Sequence, residues 1–300
     1  MNKSLLKKPV WIKSRIPSGE TYHSLKALIK NLKLSTVCES ASCPNIGECW
    51  GGGTATLMLM GDLCTRGCRF CNVKTGNPKG WLDEKEPEKV AFTLSRLKLN
   101  YVVLTSVNRD DLADEGSGHF AKTISLLKKR QPQLLVEVLT PDFKGKEEFL
   151  SKIVQAQPDV FAHNIETVEK LSPLVRDPRA TYQQSLKVLE FVKNQSQSLY
   201  TKSSIMLGLG ESDAEVLITL KDLRNVGVDV VTFGQYLRPQ KRHLPVKKFV
   251  SPEKFKKWKQ IAENMGFIYS ASGPLVRSSY RAGEFFISAM IQKQRMKNGS

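Results

Sequence analysis

The hydrophobic pattern of the chain alternates between short apolar runs and longer mixed segments. Each of the apolar runs is about as long as a single strand, and the segments between them are long enough for helices. The runs cover residues 54–60, 101–106, 134–139, 159–164, 203–209 and 228–234. Buried strands that alternate with helices are typical of a parallel sheet whose outer face is covered by those helices. The pattern therefore predicts a parallel α/β barrel, open or closed.

Most of the predicted strands are followed by polar or glycine-containing stretches. These are CTRGCRFC after the first run, TSVNRDD after the second, HNIET after the fourth, GLGES after the fifth and GQYLRP after the sixth. In parallel barrels the chemistry takes place at the carboxyl ends of the strands, so we expect these loops to converge on one face. The strand-end residues that we select as ligand contacts, each with a purely structural role as the alternative, are Thr105, Asn164, Glu166, Gln235 and Tyr236.

Length and charge narrow the class of protein. A chain of 300 residues is long enough to bury a sizeable core. Its 46 Lys and Arg against 29 Asp and Glu give a net charge of +17, which favours a nucleic acid, an anionic membrane or an acidic protein as partner. No apolar run approaches the roughly 18 residues that cross a bilayer, and the first residues contain no stretch of signal-peptide length. We therefore expect a cytoplasmic protein.

All six cysteines lie between residues 38 and 71. Disulfide bonds are the weaker interpretation, because a cytosolic chain of this size does not need them for stability. The spacing divides the cysteines into two triplets, C-x4-C-x5-C and C-x3-C-x2-C. The first triplet is Cys38, Cys43 and Cys49, and the second is Cys64, Cys68 and Cys71.

Triplets of cysteines favour iron–sulfur clusters over zinc. Structural zinc sites need four ligands, and the four histidines of the chain are remote from the cysteines in sequence. A four-iron cluster on only three cysteines leaves one iron open for another ligand. Arg66 and Arg69, between the cysteines, would either offset the negative charge of such a cluster or face solvent. A zinc module that binds nucleic acid stays as a distant alternative.

The C-x3-C-x2-C motif, with Phe70 directly before its last cysteine, resembles the motif of the radical S-adenosylmethionine (radical SAM) superfamily. That resemblance implies that Cys64, Cys68 and Cys71 hold a [4Fe-4S] cluster. In the superfamily the open iron of this cluster binds S-adenosylmethionine, and an electron from the cluster splits the cosubstrate to give a 5′-deoxyadenosyl radical. The missing fourth thiolate would then leave room for the cosubstrate.

Further stretches resemble the lipoyl synthase family, from about residue 35 to residue 284. They are TVCESASCPNIGECW, VNRDDL, HNIET, MLGLGE, FGQYLRP and GPLVRSSYRAGE. The resemblance implies a partial (βα)6 TIM-type barrel at residues 54–270. An N-terminal extension at 1–53 would carry the auxiliary cluster ligands, and a C-terminal extension at 271–300 would carry the RSSY motif. It also implies a second [4Fe-4S] cluster, with S-adenosylmethionine as cosubstrate; the second cluster's ligands would be Cys38, Cys43, Cys49 and Ser279.

The implied reaction is radical-mediated insertion of two sulfur atoms, at C6 and C8 of a protein-bound octanoyl chain, which forms lipoyl-lysine. An unactivated methylene has no acidic proton, so acid–base catalysis is insufficient and a radical is required. The implied partners are octanoylated lipoyl carrier domains (2-oxoacid dehydrogenase E2 subunits and glycine cleavage H protein), an electron donor such as ferredoxin or flavodoxin, and an iron–sulfur carrier for cluster repair. No nucleic acid and no membrane is expected.

Another sulfur-inserting radical SAM enzyme, biotin synthase-like or methylthiotransferase-like, is the nearer alternative. Such proteins share the C-x3-C-x2-C motif. They do not share the C-x4-C-x5-C triplet followed by a terminal RSSY, so these two features distinguish this alternative from the lipoyl synthase family.

Overall fold

The computed structural model describes residues 7–13, 19, 22–23, 26–27, 29, 35–40, 43, 45–51, 56–96, 99–279 and 290–291. Its strands, in chain order, are β1 Ser35–Thr36, β2 Thr56–Leu59, β3 Leu63–Cys64, β4 Lys74–Thr75, β5 Tyr101–Ser106, β6 Leu135–Leu139, β7 Val160–Ala162, β8 Tyr200–Leu207, β9 Val230–Gln235 and β10 Tyr269–Gly273. β3 pairs with β4, and the other strands form one eight-stranded sheet in the order β1-β2-β5-β6-β7-β8-β9-β10. Only β1 is antiparallel to its neighbour, so seven strands run parallel.

Helices connect the successive parallel strands. The longer ones are α3 Glu86–Ser95, α4 Ser117–Arg130, α5 Glu147–Gln155, α7 Tyr182–Gln195, α8 Asp213–Asn225 and α9 Pro252–Asn264. The short ones are α1 Val37–Ser40, α2 Ile46–Gly51 and α6 Ser172–Val175, with 3-10 turns at Phe143–Gly145 and Glu169–Leu171. No helix in the described part of the chain is long and apolar enough to cross a membrane.

Local sequence sets where several of these helices begin. Ser212 and Glu215 form a reciprocal capping box at the start of α8, in which the Ser212 hydroxyl accepts a hydrogen bond from the Glu215 amide. Thr181 caps α7 and Ser251 caps α9 in the same way, through their hydroxyl oxygens. These caps satisfy amide groups that have no partner inside the helix, and they fix where the chain turns back after a strand.

The parallel strands are buried on both faces. One face packs against the helices, and the other forms the interior of the barrel, with Val103 and Leu135 among the interior residues. The interior also contains a buried ion pair, in which Lys202 Nζ lies 2.9 Å from Glu137 Oε1. The Tyr101 hydroxyl donates to the other Glu137 oxygen at 2.5 Å. Buried charges are tolerated when they are paired and hydrogen-bonded in this way.

The predicted α/β barrel class is confirmed, and each predicted apolar run overlaps a parallel strand. β8 begins at Tyr200, before the predicted apolar run at 203–209. The hydrophobic pattern did not include the first residues of this strand because they contain polar side chains, among them the buried Lys202. The hydrophobic pattern did not predict β10, which pairs with β9 at the sheet edge. Within the described residues the sheet is open, since its edge strands β1 and β10 do not pair with each other. The expected domain boundary at residue 270 falls inside β10.

Candidate active site

The C-x3-C-x2-C loop is held between β3 and β4. The Gly76 amide donates to the Cys64 carbonyl at 2.8 Å, and the Cys71 amide donates to the Cys68 carbonyl at 3.1 Å, so the loop folds back on itself. The Asp177 amide donates to Cys68 Sγ at 3.3 Å. All three cysteines are half-buried and line one cavity. The structure therefore presents three thiol groups to a common space.

Burial affects the protonation of two thiols of this loop, Cys68 and Cys71. It raises the pKa of Cys68 to about 11, although the hydrogen bond from the Asp177 amide acts in the opposite direction. Burial likewise raises the pKa of Cys71 to about 12, against the effect of the Val73 amide. Iron binds cysteine as the thiolate, so cluster binding releases protons from this loop.

Arg66, in the same loop, is bound between two carboxylates that follow β5 and β6. Its Nη1 donates to Asp142 at 2.5 Å and its Nη2 donates to Asp110 at 3.0 Å. Burial opposes the charge of the guanidinium, but the hydrogen bonds to these carboxylates prevail and raise the pKa of Arg66. The two carboxylates thus anchor Arg66, and with it the loop, to the barrel. Arg69 is exposed, and its Nη1 donates to the Leu174 carbonyl at 3.5 Å.

Two cysteines of the second triplet lie on two short helices, and the third lies between these helices in the chain. Cys38 lies in α1 and Cys49 in α2, and both are buried beside Trp50. The Cys43 amide donates to the Cys38 carbonyl at 2.9 Å. Cys38 and Cys43 line the same cavity as the first-described loop, and burial raises the pKa of Cys38. All six cysteines lie within the described ranges, and none of them forms a disulfide bond.

The described residues of the RSSY motif, 277–279, follow β10 and line this cavity, while Tyr280 and the rest of the stretch to residue 284 lie outside the described residues. Asn45 Nδ2 donates to the Leu275 carbonyl at 2.5 Å, which ties the segment to the start of α2. Burial lowers the pKa of the Arg277 guanidinium, while the nearby Cys43 acts to raise it, so the segment lies close to the second triplet. Its two serines line the cavity, Ser278 and Ser279.

The cavity has a volume of about 730 Å³ and lies at the carboxyl ends of the strands. Its wall includes every strand-end residue selected from the sequence: Thr105, Asn164, Glu166, Gln235 and Tyr236. The Thr105 hydroxyl donates to the Leu139 carbonyl at 2.9 Å, and Asn164 Nδ2 donates to Glu166 at 3.1 Å. Asn164 Oδ1 is buried and has no hydrogen-bond partner among the described residues. A buried polar atom without a partner is costly, so this oxygen is suited to a ligand's donor group.

Glu166 has an unusual backbone conformation, with φ of 68° in the left-handed region. Hydrogen bonds to β8 hold it there, from the Glu166 amide to the Ser204 carbonyl at 3.0 Å and from the Met206 amide to the Glu166 carbonyl at 2.9 Å. Burial raises the pKa of its carboxyl group, and the Arg176 cation acts in the opposite direction. A strained residue that is held this firmly by its neighbours is characteristic of binding sites.

Gln235 and Tyr236 line the cavity, but their polar atoms bond to the protein itself. The Gln235 amide group donates to the carbonyls of Leu207 and Lys248, both at 3.1 Å, and accepts from the Val250 amide at 2.8 Å. The Tyr236 hydroxyl donates to the Leu244 carbonyl at 2.8 Å. These bonds fix the loop that follows β9.

Sequence reasoning missed Arg176, a buried cation in the cavity wall. Its Nη1 donates to the Ser185 hydroxyl at 2.8 Å and to the Ile165 carbonyl at 3.4 Å. Burial lowers the pKa of Arg176, and Glu166 acts to raise it. The stretch LVRDPRAT has no periodicity or ligand-like spacing, so nothing in it distinguishes a buried arginine from an exposed one. Thr140, with a buried hydroxyl oxygen that has no partner in the described structure, was also missed.

The donor set fits two four-iron clusters and a polar cosubstrate. Among the described residues, no three Cys, His, Asp or Glu side chains are arranged to hold one metal ion. The cysteines of a four-iron cluster bind different irons, so they do not converge on a single point. The unpartnered oxygens of Asn164 and Thr140, in the wall of the same cavity, provide hydrogen-bonding capacity for the cosubstrate.

Known proteins share this fold. Residues 58–236 match the radical SAM superfamily, and residues 1–43 match the N-terminal domain of lipoyl synthase of the radical SAM family. The structure of the FeFe-hydrogenase maturase HydG from Carboxydothermus hydrogenoformans has a TM-score of 0.53 at 12% identity, over 91% of this chain and 78% of that one. The superfamily match and the cavity together define a radical SAM enzyme.

Relatives along the whole chain narrow this class. Lipoyl synthase of Myxococcus xanthus is 57% identical over 291 residues, which are 97% of this chain and 97% of that one. The mitochondrial lipoyl synthase of Schizosaccharomyces pombe is 57% identical over 95% of this chain and 79% of its own. The chain belongs to the lipoyl synthase family, so its cofactors are two [4Fe-4S] clusters and its cosubstrate is S-adenosylmethionine.

Proposed function

We propose that the cavity is where two sulfur atoms are inserted at C6 and C8 of an octanoyl chain carried on a lysine, giving lipoyl-lysine. The observation that supports this most strongly is that one cavity is bordered by the whole C-x3-C-x2-C triplet, by two cysteines of the other triplet, Cys38 and Cys43, and by the two serines of the RSSY motif. In this proposal one triplet, Cys64, Cys68 and Cys71, holds the radical-forming cluster. The auxiliary cluster, the source of sulfur, is held by Cys38, Cys43, Cys49 and Ser279.

When bound, the clusters and S-adenosylmethionine supply hydrogen-atom abstraction from an unactivated methylene and the sulfur that replaces the hydrogen. The chain itself must hold the reacting groups in line and exclude water and oxygen. Burial of the cavity wall at the strand ends serves the second task. Each insertion would replace one hydrogen on carbon, so two insertions would consume two molecules of S-adenosylmethionine, and the auxiliary cluster that supplies the sulfur would need to be rebuilt.

The polar wall residues have proposed roles that follow from their charges. The Glu166 carboxylate and Asn164 Oδ1 accept hydrogen bonds, which suits the hydroxyl or ammonium groups of S-adenosylmethionine. The Arg176 cation suits a carboxylate. Thr105 offers a hydroxyl at the end of β5. Gln235 and Tyr236, whose polar atoms bond to backbone groups, give the wall its shape and contribute apolar contact.

Other parts of the proposal concern the protein's surroundings. The substrates are octanoylated carrier domains, with 2-oxoacid dehydrogenase E2 subunits and glycine cleavage H protein as candidates. A ferredoxin or flavodoxin would reduce the clusters, and an iron–sulfur carrier would repair the auxiliary one. A cytoplasmic location and the division into segments 1–53, 54–270 and 271–300 belong to the same proposal, and neither a nucleic acid nor a membrane is expected as partner.

An anaerobic reaction tests the proposed function. An octanoyl-lysyl peptide is incubated with the cluster-loaded protein, a chemical reductant and S-adenosylmethionine. The products are separated, and their masses are measured by mass spectrometry. We expect a product with two added sulfur atoms, together with two equivalents of 5′-deoxyadenosine. Deoxyadenosine without any thiolated peptide would contradict the proposal.

A further inference from the structure

The loop that follows β9 is unusually basic. Between Asp229 and Glu253 the chain has no acidic residue. We name residues 236–248 the basic loop. Its lysines and arginines are Arg238, Lys241, Arg242, Lys247 and Lys248. Such a density of one sign of charge creates a local positive potential that attracts an anionic partner.

The basic loop lies at the mouth of the cavity. Its first residues, 236–239, are part of the cavity wall. Farther along, Lys241, Arg242, Lys247 and Lys248 are exposed to solvent. The cations therefore continue from the cavity wall onto the exposed surface beside it, on the side from which we expect a lysine-borne acyl chain to enter.

These cations have no acidic partner within the described part of the chain. Some exposed lysines elsewhere are paired, for example Lys122 with Glu88 at 2.8 Å and Lys144 with Glu115 at 2.5 Å. No ion pair of the described residues involves a cation of the basic loop. The positive charge of this loop is thus available to a second molecule.

The loop is fixed in position on both sides. The Lys247 amide donates to the Gly208 carbonyl at 2.8 Å, which ties it to the end of β8. The Leu244 amide donates to the Arg69 carbonyl at 3.2 Å, and His243 Nε2 lies 2.9 Å from the Cys71 carbonyl oxygen. A binding surface held by such bonds loses little conformational entropy on association. Its second set of bonds joins it directly to the C-x3-C-x2-C loop.

We propose that the basic loop is the docking surface for a folded carrier domain, which binds through carboxylates that flank its octanoyl-lysine. This inference rests on the proposed function, because that function requires a carrier at this opening. Proteins that bind single-stranded nucleic acid combine cations with exposed aromatic rings. In this loop the aromatic residue, Tyr236, is buried. An acidic protein surface therefore fits the loop better than a nucleic acid.

A charge reversal tests the docking surface. The double substitution Lys241→Glu/Arg242→Glu is compared with Lys129→Glu/Arg130→Glu, which changes the net charge equally at the carboxyl end of α4, away from the cavity mouth. The dissociation constant of an octanoylated carrier domain is measured on the cluster-loaded proteins by fluorescence anisotropy without oxygen. At 0.05 M salt we expect the first variant to bind roughly tenfold more weakly and the control to change less than about twofold. At 0.5 M salt the difference should shrink to about twofold because the charges are screened.

A short, uncharged octanoyl-lysyl peptide separates docking from chemistry. Single-turnover thiolation of this peptide by the basic-loop variant should stay within about twofold of the unsubstituted protein, since a peptide without carboxylates gains nothing from the cations. Equal weakening by both variants, or no weakening by either, would overturn the docking surface. Tighter binding to duplex DNA or to anionic vesicles than to the carrier domain would also overturn it. Failure of the unsubstituted protein to thiolate the peptide would instead refute the proposed function.

Discussion

The backbone of Gly234, near the end of β9, runs so close to Val276 that a Cβ on the glycine would lie 2.2 Å from the Val276 carbonyl oxygen. Real Cβ atoms do not approach backbone oxygens so closely, and a backbone group has no rotamer by which to move away. The absence of a side chain at Gly234 therefore allows the segment that carries the RSSY motif to lie across the strand. This contact places Ser278 and Ser279 at the cavity.

The substitution Gly234→Ala should displace the RSSY segment. We expect S-adenosylmethionine cleavage to persist within about threefold, because the C-x3-C-x2-C loop is anchored elsewhere, while thiolation of the octanoyl chain falls at least tenfold, since a displacement near 1 Å is enough to disrupt alignment. Parallel assays of 5′-deoxyadenosine and of thiolated peptide measure the two activities.

Gly273→Ala provides the matched control. A Cβ at Gly273, on the neighbouring strand, would meet only a Val276 methyl group at 3.3 Å, and a side chain can adjust to that contact. Thiolation should therefore fall much less than in Gly234→Ala. If the two substitutions reduced both activities equally, the close approach at Gly234 would have no special part in positioning the serines.

The two cysteine triplets should have separable functions. Cys68→Ala should abolish S-adenosylmethionine cleavage, because it removes a ligand of the radical-forming cluster. Cys43→Ala should retain some cleavage but give no thiolated product, because it removes a ligand of the sulfur source. Iron and sulfide analysis establishes that each variant loads its remaining cluster. Equal loss of cleavage in both loaded variants would contradict this division.

Ser279 should act as a releasable ligand of the auxiliary cluster. A serine oxygen is a harder ligand than a thiolate and a poorer match to iron in a sulfide cluster, so it is more easily displaced. We expect Ser279→Ala to keep S-adenosylmethionine cleavage and lose sulfur insertion, and Ser279→Cys to hold the cluster too tightly to surrender sulfide. Normal product from Ser279→Ala with an inactive Ser278→Ala would identify the other hydroxyl as the ligand, and normal product from both would exclude serine ligation.

The free energy of unfolding should decrease in mild acid because His163 is buried in its neutral form. Its ring is buried, with Nδ1 3.0 Å from the Thr140 carbonyl oxygen and Nε2 2.9 Å from the Ser185 hydroxyl, and burial lowers its pKa to about 4. The pKa of an unfolded histidine is about 6.5, so below that pH the unfolded state binds a proton that the folded state does not bind. The full contribution of His163 to the free energy of unfolding is present above pH 6.5 and is lost as the pH falls towards 4. This loss amounts to about 3 kcal/mol at most.

The substitution His163→Asn should flatten this pH dependence, although it lowers stability at neutral pH by removing hydrogen bonds. Thermal unfolding midpoints between pH 4 and 7 provide the measurement. His23→Asn, at an exposed histidine, should leave the slope unchanged. An unaltered slope in His163→Asn would assign the acid sensitivity to other groups.

The C-x3-C-x2-C loop contains one feature that local sequence predicts and one that it does not. The spacing of Cys64, Cys68 and Cys71 was sufficient to indicate a cluster with an open iron, because those ligands are close neighbours in the chain. The environment of Arg66 was not predictable in the same way. Its partner Asp142 is 76 positions away, and only the folded barrel brings the two side chains together.

The alternation of strands and helices and the two sets of cysteines could be predicted without a structure, since both depend on short-range periodicity and spacing. The folded structure was needed to show that cysteines of both triplets and the serines of the RSSY motif border one cavity. It was also needed to show that Arg176 is buried in the cavity wall, and that the Gln235 amide is fully bonded to backbone groups. The physical reason is that charge neutralisation, burial and hydrogen-bond partners depend on contacts between segments far apart in the chain. Parallel strands create those contacts by bringing distant loops to the same end of the sheet.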